Sequence, residues 1–582
     1  MASKNVSSTS SRAGRNPGFQ EYILWFYSPP EGSGRRCRED PPDLASQIFS
    51  SWSLQRPRKV MPLRNFAPSL EDLCLESVAE HLECVSDKDL MHIHFAESFV
   101  PRLIRIRRQN KSLNVAVLDR LLVPHLTTLK LDFCAELVQE ALLQTIAVRC
   151  KKLTLLDLFG CNKVPAGSLV ELVKALPCLT QLDLSRTKCN ARVLSAVASS
   201  CRRLRELAVV ECSSLSPTSL LYLAYDPVVG SFTGLALEEL LAERLNHDVK
   251  TQEHIWAVAF VLLAMPTLKF LVQDFLTRAI CLIYHQQFDM VQLPSGFPSL
   301  REVAQGRLTT PTNGRPLRPT LALEYLGDIN RSNLPKVCAM CPNLVRVDIT
   351  PESSRVWARW TLLWRSLTHL TVTCYRKEQD LRQLLIVTEN LGAQLRHLCI
   401  RGFTLKDPFS FHTLLSHCGN LCDFKASFIF TGKELLDRQP DGEAMDWEVH
   451  LSPLEFLQLS RFSLKFSAEE EPLPFQYVMV LRECLVSVMK HSPLLQYMDL
   501  VRLPFPMDNV FQEVLQSPGR TLCHLSSLLF CHVLVSMDTV DLLLSSENHI
   551  HYICLKKCLV IHMEKYKEDK EDGVGTHDSA WI

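Results

Sequence analysis

Several common functional signals are absent from this sequence of 582 residues. Neither sign of charge is in excess, since 63 lysine and arginine residues balance 63 aspartate and glutamate residues. A dedicated nucleic-acid binder would carry a basic excess. Glycine is scarce, at 20 residues, which disfavours glycine-rich phosphate loops, and no G-x-S-x-G, P-loop or H-E-x-x-H motif occurs. We therefore expect a protein that is not an enzyme, holds no metal or cofactor, and binds no nucleic acid.

Long apolar runs are also absent. The longest, Trp256 to Met265, has ten residues, which is too short to cross a bilayer. Residues 1–18 (MASKNVSSTSSRAGRNPG) are polar and lack the apolar centre of a secretory signal. The 22 cysteines are spread along the chain, as is typical of reduced thiols that serve as small buried apolar side chains. The sequence thus predicts a protein of the cytoplasm and/or nucleus that has no contact with membranes.

What the sequence does contain is a repeat. Four segments read L-x-x-L-x-L-x-x-C with few departures, and they start at residues 126, 153, 179 and 204, so that the starts are 27, 26 and 25 residues apart. This is the leucine-rich-repeat pattern. Alternating leucines line one face of a short strand, and the apolar residues that follow at helical spacing pack behind it. We therefore predict an α/β fold: a leucine-rich-repeat solenoid with a curved parallel sheet and helices on its outer face.

Further repeats are weaker. After residue 340 we predict strands of the same kind at Leu344–Ile349, Leu367–Val372, Leu395–Ile400, Leu421–Ala426, Leu454–Leu459, Leu495–Leu500, Leu525–Phe530 and Ile550–Leu555. Between residues 226 and 340 only Leu268–Leu271 and Leu300–Val303 suggest degenerate units, and residues 306–320 resemble an inserted loop.

The composition divides the chain into six parts. The predicted order is a flexible leader (1–60), a helical module that caps the repeats (61–115), regular repeats (116–225), degenerate repeats with an inserted loop (226–340), irregular repeats (341–562) and a charged tail (563–582).

The helical module carries the most informative motif. Leu70, Cys74 and Val78 are four residues apart, on one face of a predicted helix, with Leu73 beside them. With Ser69 before Leu70, this pattern resembles the BC-box, the elongin C docking helix of von Hippel–Lindau and SOCS-type receptors. The resemblance implies that Leu70 fills an apolar pocket on elongin C, while Leu73, Cys74 and Val78 support the contact.

A second motif follows about thirty residues later. Val100, Pro101 and Ile104 are similar to a cullin-2 box, and the order of motifs resembles the Zyg and Zer type of cullin-2 receptor. The cysteine-containing repeats resemble those of ubiquitin-ligase substrate receptors. The resemblance implies a substrate-recognition subunit of an elongin BC–cullin-2 RING ubiquitin ligase, with elongin C, elongin B, cullin-2, its RING protein and an unknown protein substrate as partners. By analogy of fold, the candidate substrate contacts are Lys130, Asp132, Asp157, Phe159, Asp183, Ser185 and Glu206.

Other interpretations stay open at this point. The stripe of Leu70, Cys74 and Val78 would also suit the buried face of a capping helix, and Pro101 would also suit the first turn of a helix. Residues 41–49 (PPDLASQIF) resemble the start of an F-box, which would bind Skp1 in a cullin-1 ligase. A scaffold outside the ubiquitin system is the remaining alternative.

Overall fold

In the computed structural model, the described part of the chain lies within Phe66–Ile582. The described residues are 70–86, 88, 99–246, 251–307, 319–351, 356–375, 379–429, 451–467, 473–519, 521–546, 548–550, 552–556, 558 and 579–581. The predicted leader with its F-box-like stretch, residues 308–318 of the predicted loop, and most of the predicted charged tail lie outside them. In these described ranges no helix is both long and apolar enough to cross a bilayer.

Among the described residues three α-helices precede the first strand, and strands then alternate with helices. The first half contains α1 (Leu70–Glu80), α2 (Val100–Gln109), α3 (Val115–Leu121), β1 (Thr128–Lys130), α4 (Glu140–Arg149), β2 (Leu155–Asp157), α5 (Ala166–Ala175), β3 (Gln181–Asp183), α6 (Ala191–Ser200), β4 (Glu206–Ala208), α7 (Leu221–Ala224), β5 (Tyr225–Asp226), β6 (Ser231–Phe232), β7 (Glu239–Leu241), α8 (Thr251–Ala264), β8 (Phe270–Val272), α9 (Leu276–His285) and α10 (Leu300–Arg307).

The same alternation continues in the second half. It contains β9 (Tyr325–Asn330), α11 (Leu334–Met340), β10 (Arg346–Thr350), α12 (Val356–Thr361), β11 (His369–Thr373), α13 (Arg382–Leu391), β12 (His397–Thr404), α14 (Ser410–Ser416), β13 (Asp423–Ile429), β14 (Arg461–Phe466), α15 (Phe475–Lys490), β15 (Tyr497–Val501), α16 (Asp508–Gln516), β16 (Ser527–Cys531), α17 (Met537–Ser545), β17 (Tyr552–Lys556) and β18 (Ser579–Trp581).

The described strands form two large consecutive sheets and a separate antiparallel pair, β5 and β6. The first has the order β1-β2-β3-β4-β7-β8, and the second runs from β9 to β18 in chain order. All neighbours within the two large sheets are parallel except β17 and β18, which are antiparallel. Between the sheets, the Phe270 and Tyr325 rings stack 4.5 Å apart, and the Glu324 N–H donates to the Lys269 carbonyl at 2.7 Å. This architecture is a leucine-rich-repeat solenoid, as predicted.

Alternation along each strand explains how the stack holds together. In β3 the Leu182 side chain is fully buried, while its neighbours Gln181 and Asp183 are only partly buried. The repeated leucines therefore point toward the helices, and the residues between them lie on the sheet face that the helices leave uncovered. Helix starts are also encoded locally, because the Asn114 and Asn190 side chains accept hydrogen bonds from the first turns of α3 and α6.

The repeat cysteines bind one repeat to the next. The Cys212 thiol donates to the Leu184 carbonyl at 3.2 Å, and the Cys150 thiol, at the end of α4, donates to the Val123 carbonyl at 3.7 Å. Thr187 occupies a consensus cysteine position, and its hydroxyl donates to the Leu184 carbonyl at 2.6 Å. Small donors at these positions therefore add hydrogen bonds to buried backbone carbonyls, and the Leu184 carbonyl accepts from both Cys212 and Thr187.

Some predicted strands were misplaced. Leu300–Val303 begins helix α10 and is not a strand, because its apolar residues repeat at helical spacing. The strand predicted at Leu454–Leu459 is in fact β14, which starts at Arg461, since Leu454 and Leu459 are buried in a loop and Leu457 is exposed. Strands β7 and β9 were missed, and they show that repeats continue through the region interpreted as degenerate.

Candidate docking surface

Helix α1 has two apolar stripes, and only one of them belongs to the core. Leu75 and Ala79 are buried, as is Leu82 in the short 3-10 turn that follows, and the helix packs on α2. These three residues are four and three positions apart, so they share one face. The core stripe of α1 is therefore a different one from the stripe that the BC-box pattern selects.

The other stripe faces solvent. The Leu70 side chain is 79% exposed, Leu73 and Cys74 are exposed, and only Val78 is partly buried against the core. Ser69 lies outside the described residues. The interpretation of this stripe as the buried face of a capping helix is thus wrong for Leu70 and Cys74, and Leu70 is left as a large apolar side chain that nothing in the described structure covers.

Polar contacts fix α1 against the repeats. Glu71 forms an ion pair with Arg102 of α2, and Glu83 forms one with Arg107 at 2.5 Å. The Arg120 guanidinium donates to the carbonyls of Leu82, at 2.9 Å, and Val85. A cation at these terminal carbonyls also opposes the helix dipole. Arg102 thus contacts α1 itself, while Arg107 and Arg120 contact the turn that follows it.

The cullin-box residues do not form a comparable surface. Val100 and Ile104 are buried in the core, where they pack and do not face solvent, and Pro101 is half-buried in the first turn of α2. The expectation of three exposed contacts is therefore corrected for Val100 and Ile104, because both belong to the apolar stripe that α2 turns toward the core. A contact with a cullin remains a prediction, and Pro101 is the one of these three residues that could make it directly.

The repeat strands bring most of the predicted substrate contacts together. Lys130, Asp157 and Asp183 occupy the same register on adjacent strands β1, β2 and β3. Of the remaining candidates, Asp132 is exposed, while Phe159 and Glu206 are partly buried. Ser185 is the exception: it is buried, and its hydroxyl accepts a hydrogen bond from the Val210 N–H at 3.0 Å. It holds β4 beside β3 and is not a surface contact.

A charged rim beside these strands was missed by the sequence reasoning. Arg186 and Arg244 both bind the Glu211 carboxylate, at 2.7 and 3.1 Å, and the Arg186 guanidinium lies 5.3 Å from the centre of the Phe159 ring. All three charged residues have positive φ, between 52° and 56°. They occupy the eighth position of successive repeats, and Gly160 occupies the same position in an earlier repeat. This shared position is the sequence signal that could have identified them.

The carboxylates of β2 and β3 are electrostatically unusual. Burial, and then the nearby charges of Asp183 and Asp132, raise the pKa of Asp157 to about 8. Burial likewise raises the pKa of Asp183 to about 6, although the hydrogen bonds from Ser185 oppose the shift. A raised carboxyl pKa favours the protonated form in the folded state. The stability that each carboxyl group contributes is therefore present at low pH and is lost as the pH rises through its folded-state pKa.

Replacing Asp157 with asparagine should therefore stabilise the protein at high pH. The amide keeps the acceptor for the Phe159 N–H, at 2.9 Å, and removes the buried charge. We expect the thermal midpoint of Asp157→Asn to exceed that of wild type at pH 8.5, with a much smaller difference at pH 5, which is closer to the unfolded-state pKa of about 4. Asp541→Asn, at an exposed carboxyl, is the matched control. An equal difference at both pH values would contradict the electrostatic account.

Comparison with protein-family models finds no match, and a search of curated proteins finds none either. Two of the solved structures that are similar to this chain are as follows. One is the yeast complex of Rad7 and Elc1, at 13% identity and a TM-score of 0.31, covering 90% of this chain and 97% of that chain. The other is the internalin inlF of Listeria monocytogenes, at 10% identity and a TM-score of 0.24, covering 74% and 83%. At this level of similarity neither structure indicates what this chain binds.

Proposed function

We propose that this protein is the substrate-recognition subunit of an elongin BC–cullin-2 RING ubiquitin ligase in the cytoplasm and/or nucleus. It performs no chemistry itself. The single observation that carries the proposal is the exposed apolar stripe of α1, where Leu70, Leu73 and Cys74 face solvent on a well-anchored helix. These are the residues through which the sequence resembles the elongin C docking helix.

The energetics of the exposed stripe favour a partner over a free surface. Burying a leucine side chain is worth about 2 kcal/mol, and most of that gain is still unrealised at Leu70. Cys74, one turn later, is small enough to let a partner approach the helix closely. A helix that lays such a stripe into an apolar groove is one of the recurring modes of protein recognition.

The choice of cullin-2 has a narrower basis. It depends on the resemblance of residues 100–104 to a cullin box, of which Pro101 is the partly exposed member. In the proposed assembly α1 holds elongin C, and with it elongin B, while α2 lies close enough for its outer face to contact the cullin. The repeats hold the substrate, and the resulting increase in effective concentration near the ubiquitin-carrying enzyme is the receptor's contribution to catalysis.

The test is the affinity of the purified full-length protein for recombinant elongin BC. We expect wild type to bind and Leu70→Asp to lose at least about a hundredfold, because the variant forfeits the apolar burial and places a charge in an apolar groove. Val148→Asp is the matched control, since Val148 is also an aliphatic side chain on a helix and is 72% exposed. It should bind as wild type does.

Capture from cells distinguishes the ligase classes. Cullin-2 should accompany wild type and be absent with Leu70→Asp. Skp1 in place of elongin C, lost when residues 1–60 are deleted, would favour the F-box alternative and overturn the proposal. Absence of elongin C, cullin-2 and Skp1 from the wild-type sample would overturn any ligase function and favour a scaffold outside the ubiquitin system.

A further inference from the structure

The second sheet has a cluster of cationic side chains on its uncovered face. Arg401 of β12, Lys425 of β13, and Arg461 and Lys465 of β14 are all partly exposed, and we call these four residues the basic patch. The strands are adjacent, with Arg401 and Lys465 both in register with Ser427 between them. None of the described helices covers this face of the three strands, because their alternate residues, such as Phe424, are the ones buried toward the helices.

Acidic residues are present within the patch, but they lie deeper than the cations. The Lys425 ammonium is 3.3 Å from the Asp423 carboxylate, and the lysine side chain is 38% exposed against 13% for the aspartate. Lys465 and Asp499 repeat this arrangement at 3.1 Å, with 33% against 13% exposure. In each pair the carboxylate is shielded by the sheet and the ammonium is outermost. An approaching partner therefore meets positive charge first.

A flat polar surface adjoins the basic patch. The His369 and His397 rings stack 4.0 Å apart, on adjacent strands β11 and β12. Burial, and then neighbouring charge, lowers the pKa of His369 to about 2, and burial lowers that of His397 to about 4, so both rings are neutral at physiological pH. They add flat ring surface beside the cations without changing the sign of the patch.

We propose that the basic patch binds an extended acidic segment of a protein partner. The identification of that partner as a ubiquitination substrate rests on the proposed function. Strands β12 to β14 span about 10 Å, at about 4.8 Å between neighbours, which an extended segment of three or four residues would cover. Acidic side chains of the segment would then lie within reach of the four cations.

The test uses a fluorescein-labelled oligoglutamate of twelve residues and an oligolysine of the same length, titrated with the full-length protein at low salt. We expect the oligoglutamate to bind more tightly than the oligolysine and to weaken as salt is added. Arg461→Glu/Lys465→Glu should weaken oligoglutamate binding at least about tenfold. Lys151→Glu/Lys152→Glu makes the same change of charge at two exposed lysines far along the chain, and it should bind as wild type does.

Two results would overturn the inference: equal oligoglutamate affinity for wild type and Arg461→Glu/Lys465→Glu, or tighter binding of oligolysine by wild type. Circular dichroism checks the fold of each variant. If charge reversal unfolds the protein, Arg461→Gln/Lys465→Gln replaces it, with a smaller loss of affinity expected. Elongin BC binding is measured on the same samples. If wild type binds elongin BC but not oligoglutamate, the role of the basic patch is refuted and the ligase function is not. If wild type binds oligoglutamate but not elongin BC, only the ligase function is refuted.

Discussion

Replacing Gly402 with alanine is expected to destabilise the second sheet by about 3 kcal/mol or more. Gly402 has a φ of +73°, and a Cβ atom there would lie 1.9 Å from the Cys374 carbonyl oxygen. That contact is with backbone that cannot move independently, because the Cys374 N–H donates to the Arg401 carbonyl at 2.8 Å. Strands β11 and β12 would have to separate locally to admit the methyl group.

Gly167→Ala is the matched control for this prediction. Gly167 lies in the first turn of α5 and would meet nothing within 4 Å of an added Cβ. The same chemical change should therefore stabilise the protein by about 0.5–1 kcal/mol, since alanine loses less backbone entropy on folding. Thermal midpoints and hydrogen exchange of β11 and β12 measure both effects. Equal midpoints for the two variants would refute the close approach of β12 to the Cys374 carbonyl.

Alanine substitutions in the two apolar stripes of α1 are expected to differ greatly in their effect on stability. Leu75→Ala removes a buried side chain from the contact with α2 and should cost about 2–5 kcal/mol, whereas Leu70→Ala should change stability by about 0.5 kcal/mol or less. Because α1 lies at one end of a stack in which each unit contacts only its neighbours, the loss should appear as local opening. Hydrogen exchange of residues 70–86, compared with β3, is the measurement.

The outcome separates two of the functional alternatives. A docking helix predicts lost elongin C binding without lost stability for a substitution at Leu70. A capping helix of a scaffold outside the ubiquitin system predicts the reverse, with lowered stability and no specific partner lost. A Leu70→Ala protein that exchanges amide hydrogens of α1 as fast as Leu75→Ala would therefore contradict the docking surface.

The fold could be predicted where the leucines, the cysteines and the spacing agree. That condition holds in the first four repeats, whose strands β1 to β4 lie within the predicted segments. It fails at β14, since Leu454, Phe456 and Leu459 imitate strand spacing while packing in a loop. Leucine spacing alone reports burial, and only hydrogen bonding to a neighbouring strand distinguishes β structure from a well-packed loop.

The candidate site was predictable in composition but not in orientation. Helix α1 offers apolar residues on two faces, and the sequence does not say whether Leu70 or Leu75 turns inward. The position of α2 decides it, and that packing is tertiary information. The basic patch was missed for a related reason: because the repeat was placed at Leu454, Arg461 and Lys465 never appeared as strand surface positions.

The junction between the two sheets has a mechanical consequence. Strands β8 and β9 lack the ladder that joins every other pair of neighbours along the stack, and on the uncovered face they meet through the rings of Phe270 and Tyr325. Behind them, helices α9 and α11 remain packed. The solenoid thus consists of two stiff segments joined by a more flexible junction. Bending at this junction would change the distance between a partner bound on the second sheet and a partner bound by α1.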